Sequence, residues 1–126
     1  MSLGDHDILV LDEDRVAGQL ICDMIRLYRI GMPQLSLSEV DSCQMLDSQS
    51  FDLCLFDVSL RGHVCDRAVA AANAKSVPVV LLSDGEDFTR LSTQPAQGLV
   101  VQKPATEEDI RQAVAHFLQR EPARQI

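Results

Sequence analysis

The sequence predicts one doubly wound α/β domain built on a five-stranded parallel sheet. Five short apolar segments alternate with amphipathic segments that have the spacing of helices. Most of the apolar segments are nearly continuous, which is typical of strands covered on both faces. At 126 residues the chain has room for one hydrophobic core. Alternation of this kind favours parallel strands joined by right-handed crossovers.

The first part of the chain predicts two strands and two helices. The first strand is expected over Asp7–Leu11 and the first helix over residues 14–29, with Asp14 as its N-cap. Residues 35–40 alternate apolar and polar side chains, which favours an edge strand. The short helix that follows is expected to begin at a cap formed by residue 41 or 42 and to end near residue 49.

The remaining elements follow the same alternation. Residues 51–56 form the most apolar segment and are therefore predicted to be the central strand. The predicted elements after it are a helix over 64–74, a strand over 77–82, a short or frayed helix within 83–92, a strand over 99–101 and a helix that follows Thr106. The weakest of these predictions is the segment 83–92, which has poor helical character.

The composition excludes several classes of function. Lys and Arg number 11 against 19 Asp and Glu, which gives a net charge of −8. An acidic surface without a basic cluster repels nucleic acids and anionic membranes, so a protein partner is predicted. No apolar run approaches the roughly 20 residues of a membrane span. The four cysteines form no CxxC pair and predict free thiols in a reducing compartment, hence a cytoplasmic location.

Chemically active side chains follow four of the predicted strands. Asp12 and Glu13 follow the first strand, Asp57 the third, Ser83 the fourth and Lys103 the fifth. Ligands of doubly wound sheets bind beyond the carboxyl ends of the strands. Crowded carboxylates repel one another unless a cation or a lysine lies nearby. Oxygen ligands without His or Cys suit a hard ion, Mg²⁺ before Ca²⁺.

This order of motifs resembles the receiver domains of two-component response regulators, whose fold is flavodoxin-like, (βα)5. The matching segments are DILVLDED, FDLCLFD, VPVVLLS and VVQKP. The resemblance implies that Asp57 accepts a phosphoryl group from a histidine kinase. It also implies a Mg²⁺ site formed by Asp12, Glu13, Asp57 and the backbone carbonyl of Ser59. Ser83 and Lys103 then complete the site around the phosphoryl group.

The same resemblance implies the partners and the limits of the domain. A sensor histidine kinase or a phosphotransfer protein supplies the phosphoryl group, and a downstream protein or a fused output domain responds to it. The domain is expected to act on no other substrate, so it is not an enzyme in the usual sense. We expect the receiver domain to span residues 5–120, with residues 121–126 as a tail or the start of a linker.

Some positions depart from the receiver pattern. Glu13 stands where a second Asp is usual. A metal-binding pair formed by Glu13 and Asp14 is the second choice after the pair of Asp12 and Glu13. Val100 stands where an aromatic residue is usual, and Arg61 where Pro is frequent. These departures leave an alternative open: a degenerate receiver that binds proteins without being phosphorylated.

Two unrelated classes fit the sequence less well. An aspartyl-phosphate hydrolase of the haloacid dehalogenase type needs an acid/base Asp two residues after its nucleophile, where this chain has Ser59. A flavodoxin-like flavin carrier needs a loop that binds phosphate after the first strand. The acidic sequence of residues 12–15, DEDR, would instead repel the cofactor phosphate.

Overall fold

The computed structural model describes residues 6–118. Strands and helices alternate along this part of the chain, with one additional hairpin and one 3-10 helix. The elements are β1 Asp7–Leu11, α1 Arg15–Leu27, β2 Met32–Ser36, α2 Glu39–Ser48, β3 Leu53–Asp57, β4 Ser59–Leu60, β5 His63–Val64, α3 Asp66–Ala74, β6 Val79–Ser83, the 3-10 helix Asp87–Arg90, β7 Gly98–Gln102 and α4 Glu107–Leu118.

Five strands form one parallel sheet in the order β2-β1-β3-β6-β7. The predicted doubly wound fold is therefore confirmed. β3 lies in the centre, as its continuous apolar sequence predicts. The order places the reversal of winding between β1 and β3, so the carboxyl ends of these two strands border the crevice where ligands of such sheets bind.

The hydrophobic core has two layers because successive strand residues point to opposite faces of the sheet. On β3, Cys54 and Phe56 pack on the face that α2 and α3 cover, whereas Leu53 and Leu55 pack on the face that α1 and α4 cover. All four side chains are fully buried. The central strand is thus held from both sides, and its last residue, Asp57, is fixed at the edge of the core.

The structure corrects the prediction for the second strand and its helix. The strand covers Met32–Ser36 instead of residues 35–40. Ser38 caps α2, because its side chain accepts a hydrogen bond from the Asp41 N–H at 3.1 Å. Residues 39 and 40, predicted as strand, are therefore helical, and the cap predicted at residue 41 or 42 was wrong. Pro33 is accommodated because β2 is an edge strand, where a missing N–H is tolerated.

Two smaller expectations, the cap of α1 and the short helix within residues 83–92, are confirmed. Asp14 caps α1, accepting hydrogen bonds from the N–H groups of Val16 and Ala17 at 3.0 and 3.2 Å. The weak helical segment 83–92 contains one 3-10 turn, Asp87–Arg90. All four cysteines are free. Between residues 6 and 118, no helix combines the length and apolarity needed to cross a membrane. The proposed tail 121–126 and the domain limits at 5 and 120 lie outside the described residues.

The sequence did not predict the hairpin that follows β3. β4 and β5 pair antiparallel, with Ser59 opposite Val64 and Leu60 opposite His63. Residues 61 and 62 make the turn, and Gly62 has a φ of 76°, a conformation that glycine adopts without steric cost. The hairpin holds Ser59 and Arg61 beside the end of the central strand.

Candidate functional site

The sheet register gathers the predicted site residues at one edge. Asp12 directly follows Leu11, which lies beside Phe56, the residue before Asp57. Ser83 is the last residue of β6, and Lys103 follows β7. Asp12, Glu13, Asp57 and Ser59 all line one polar cavity at this edge, together with Asp14, Arg15, Leu60 and Arg61. Residues that lie far apart in the sequence thus share one site.

Asp57 is paired with Lys103. The Lys103 Nζ donates a hydrogen bond to Asp57 Oδ1 at 2.9 Å, and the Asp57 side chain is 15% exposed. Burial lowers the pKa of Lys103, but the hydrogen bond to Asp57 and the charge of Asp57 raise it. The charges of Asp87 and Asp12 add to this effect, so the pKa of Lys103 is raised overall. Lys103 therefore remains a cation, and the Lys103–Pro104 bond that follows it is cis.

The two acids after β1 have different surroundings. Asp12 is buried, and its Oδ1 accepts a hydrogen bond from the Asp14 N–H at 2.9 Å. Burial, and then the charges of Asp57 and Asp14, raise the pKa of Asp12. Glu13 is partly exposed, and its Oε1 accepts a hydrogen bond from the N–H of Arg61 in the hairpin. A cation at the cavity would relieve the repulsion on Asp12, whereas Glu13 already has a donor.

The oxygen atoms at this edge fit Mg²⁺. Within residues 6–118, no group of three or more His, Cys, Asp or Glu side chains is arranged to hold a metal ion, so Asp12, Glu13 and Asp57 do not form a ready site of three carboxylates. Mg²⁺ does not need three such side chains, because it keeps several waters and is commonly held by one or two carboxylates together with substrate phosphate. Asp12 and Asp57 provide two carboxylates, and Ser59 belongs to the same cavity. The role of Glu13 as a ligand stays a prediction.

Asp87 is a residue of the site that sequence reasoning missed. Its carboxylate is fully buried and accepts the Ser83 hydroxyl at Oδ1 and the Ser59 hydroxyl at Oδ2, both at 2.6 Å. Burial raises the pKa of Asp87, but the hydrogen bonds from Ser59 and Ser83 lower it. A backbone hydrogen bond from Asp84 and the charge of Lys103 act in the same direction, so the pKa is lowered overall. The only signal in the sequence was an acid four residues after Ser83.

Solved structures of receiver domains have the same fold. A receiver domain of a sensor histidine kinase from Pseudomonas aeruginosa, crystallised with magnesium in its active-site cleft, has a TM-score of 0.74 and 17% identity and covers 90% of this chain and 98% of its own. A response regulator receiver domain protein from Methanospirillum hungatei has a TM-score of 0.75 and 14% sequence identity. The match covers 90% of this chain and 94% of that protein. The N-terminal domain of a response regulator/sensory box/GGDEF three-domain protein from Carboxydothermus hydrogenoformans has a TM-score of 0.72 and 20% sequence identity. The match covers 90% of this chain and 94% of that domain.

This chain has the receiver fold. The resemblance inferred from the four sequence motifs is therefore confirmed at the level of the fold. No protein-family model matches the sequence, and no curated protein matches it either.

One departure from the receiver pattern is visible on β7. Val100 is 48% exposed, whereas its neighbours Leu99 and Val101 pack against the core. The position where the receiver pattern has an aromatic residue is therefore occupied by an exposed aliphatic side chain.

Proposed function

We propose that this chain is a phospho-accepting receiver domain in which Asp57 takes a phosphoryl group from a phosphohistidine. The donor would be a sensor histidine kinase or a phosphotransfer protein. The observation that carries the proposal is the position of Asp57: its carboxylate ends the central strand, opens onto a polar cavity and is paired with Lys103 at 2.9 Å. A carboxylate held in this way is a suitable nucleophile for phosphoryl transfer.

The proposed reaction needs few protein groups. A carboxylate oxygen of Asp57 attacks the phosphorus, the P–N bond of the phosphohistidine breaks, and its electron pair remains on the imidazole. Lys103 would stabilise the negative charge on the phosphoryl oxygens, and Ser83 would donate a hydrogen bond to one of them in place of its present bond to Asp87. Mg²⁺, held by Asp12, Asp57 and the Ser59 carbonyl, would neutralise phosphoryl oxygens. Attack by water on the phosphorus later restores Asp57, so the chain modifies only itself.

A protein partner fits the surface beside the site. α1 begins immediately after the acidic residues, and on its first two turns Val16 is 71% exposed and Leu20 64% exposed. Adjacent apolar side chains in solvent are a feature of protein-binding surfaces. A donor protein docked there would reach Asp57. The net charge of −8 disfavours nucleic acid and anionic membrane as partners. We place the domain in the cytoplasm.

The response to phosphorylation would be read by another protein or by a fused output domain. Phosphorylation adds about 1.5 to 2 negative charges at pH 7. A change of this size biases the conformation of nearby loops, which a partner can recognise. The three-domain organisation of the Carboxydothermus response regulator is one arrangement in which a receiver fold precedes other domains.

A second candidate function is a degenerate receiver that binds proteins without phosphorylation. It is favoured by Glu13, which is engaged by the Arg61 N–H, and by Val100 in place of an aromatic residue. The two candidate functions differ in whether Asp57 becomes phosphorylated, and one experiment distinguishes them.

The test is phosphorylation by a small donor. The chain is incubated with Mg²⁺ and acetyl phosphate, and intact-protein mass spectrometry follows the products. We expect a single phosphoryl adduct that is stable in acid and labile in base, and that EDTA prevents from forming. Absence of the adduct, or its persistence in Asp57→Asn, would reject phospho-acceptance by Asp57 and leave the degenerate receiver.

A further inference from the structure

Asp87 is a buried carboxylate that phosphoryl transfer to Asp57 does not itself require. Its side chain is fully buried, and each of its oxygens accepts one serine hydroxyl at 2.6 Å. It is the first residue of the 3-10 helix Asp87–Arg90, and its own N–H donates to Asp84 Oδ1 at 3.0 Å. The carboxylate therefore ties a short surface segment to two residues of the phosphoryl site.

The hydroxyl of Ser83 can serve only one acceptor at a time. A hydroxyl group carries one proton, and that of Ser83 is donated to Asp87 while its oxygen accepts the Gly85 N–H at 2.9 Å. Donation to a phosphoryl group on Asp57 therefore requires the hydrogen bond from Ser83 to Asp87 to break. That break leaves a buried carboxylate with one hydroxyl donor fewer, which is unfavourable unless the carboxylate moves.

The segment that carries Asp87 is short and does not belong to the sheet. It is a single turn of 3-10 helix in the connection between β6 and β7. Gly85, with a φ of 105°, lies on one side of it. On the other side, Ser92 and Thr93 are held to α3 by N–H donation to Asp66 Oδ1 at 2.7 and 3.0 Å. The turn lies outside the sheet, but Phe88 packs against the core and the following Leu91 is buried in it, so a displacement of Asp87 also has to move these two side chains.

We propose that Asp87 is the positioning residue of the phosphoryl site: it holds the Ser83 hydroxyl in the unphosphorylated chain, and phosphorylation of Asp57 releases that hydroxyl and displaces the 3-10 helix. The inference rests on the proposed function. It assigns to Asp87 the link between the Ser83 hydroxyl and the 3-10 helix that begins at Asp87.

The first test measures the equilibrium affinity for a phosphoryl mimic. Beryllium fluoride is titrated into the chain in the presence of Mg²⁺ and followed by fluorine NMR. Asp87→Asn, which keeps the shape but removes the charge, should tighten binding about tenfold, the effect of weakening one charged hydrogen bond that competes with the mimic. Asp84→Asn is the matched control, because it removes a charge from the same loop while its side chain can still accept from the N–H groups of Glu86 and Asp87. Its affinity should stay within about twofold of the unmodified chain.

A double-mutant cycle separates positioning from simple charge repulsion. If Asp87 acts through the Ser83 hydroxyl, Asp87→Asn has no further effect in a Ser83→Ala background. If its negative charge merely repels the mimic, the same increase in affinity persists in that background, and the proposal is rejected.

The second test follows the segment directly. Amide hydrogen exchange over residues 84–92 should be faster in unphosphorylated Asp87→Asn than in the unmodified chain, and the unmodified chain should show the same acceleration when it binds beryllium fluoride with Mg²⁺. Unchanged exchange in both cases contradicts the proposal. Circular dichroism checks that Asp87→Asn is folded.

A further variant is expected to change the affinity for beryllium fluoride in the opposite direction, and it provides a test even if Asp87→Asn does not fold. Ser59→Ala leaves Ser83 as the one hydroxyl donor to Asp87, so release of Ser83 becomes harder. Beryllium fluoride should then bind more weakly, and equal or tighter binding overturns the proposal.

If the unmodified chain neither binds beryllium fluoride nor accepts phosphate, the proposed function itself fails. If it does both and the Asp87 and Ser59 variants behave like it, only the role of Asp87 fails.

Discussion

The two halves of the proposed phosphoryl site are built in different ways. At the ends of β1 and β3, Asp12 and Asp57 are placed by neighbouring strands whose residues pair in register. At the ends of β6 and β7, Ser83 is held by Asp87, which belongs to a loop rather than to the sheet. Strand order therefore positions Asp57, the proposed nucleophile, whereas the path of one loop positions the hydroxyl of Ser83.

The largest effect is expected at the nucleophile. Asp57→Asn keeps the size of the side chain and removes the attacking carboxylate, so the rate of adduct formation from acetyl phosphate should fall by at least about a thousandfold. The exposed Asp47 on α2 provides the matched control. Asp47→Asn should react as fast as the unmodified chain, and a similar loss in both variants would mean that the charge of the surface, not Asp57, governs the reaction.

The next largest effect concerns the support of the central strand. Phe56 is fully buried beside Asp57, and Phe56→Ala should lower the free energy of unfolding by about 3–5 kcal/mol because a cavity is left in the core. Val100→Ala, on the exposed face of β7, should change it by no more than about 0.5 kcal/mol. Urea denaturation followed by circular dichroism measures both, and equal losses would contradict the layered core.

A smaller effect should distinguish the two acids after β1. Asp12→Asn removes a buried carboxylate from the cavity and should slow the Mg²⁺-dependent phosphorylation about a hundredfold. Glu13→Gln can still accept the Arg61 N–H and should slow it less than about tenfold. Rates are measured over a range of Mg²⁺ concentrations. The reverse order would show that Glu13 is the more important metal ligand.

The smallest effect should appear at alkaline pH. The pKa of Lys103 is raised above its ordinary value of 10.5, chiefly by Asp57 acting against burial. The contribution of the pair to stability is then fully present below pH 10.5 and is lost as the pH rises through the raised value. For a partly exposed pair it amounts to at most about 1 kcal/mol. Chemical denaturation of the unmodified chain and of Lys103→Gln should differ at pH 8 and converge above the raised pKa; a constant difference would contradict this origin.

Much of the fold could be predicted because burial leaves a periodic pattern in the sequence. Strands such as β3 and β6 are apolar up to their last residue, and their order along the chain implies a parallel sheet. The edge strand β2 was misplaced because it is half-exposed, and because Ser38, rather than a residue further on, caps the following helix. Local alternation of polar and apolar side chains could not distinguish these possibilities.

The place of a candidate residue could be predicted where it ends a strand or directly follows one. Asp57, Ser83 and Lys103 lie at such positions, and Asp57 pairs with Lys103, while their roles stay predictions. Asp87 was not found, because its burial depends on the course of the loop between β6 and β7. The hydrogen bond from the Arg61 N–H to Glu13 was missed for a similar reason, since it needs the hairpin of β4 and β5.

The most direct test of phospho-acceptance identifies the residue that carries the phosphoryl group. The chain is phosphorylated with acetyl phosphate and Mg²⁺, and the adduct is reduced with borohydride, which converts an acyl phosphate on Asp into homoserine. Peptide mass spectrometry then locates the converted residue. We predict homoserine at position 57 alone. Conversion at Asp12 or another acid, or no conversion in a chain that carries phosphate, would contradict the assignment of Asp57 as the phosphoryl acceptor.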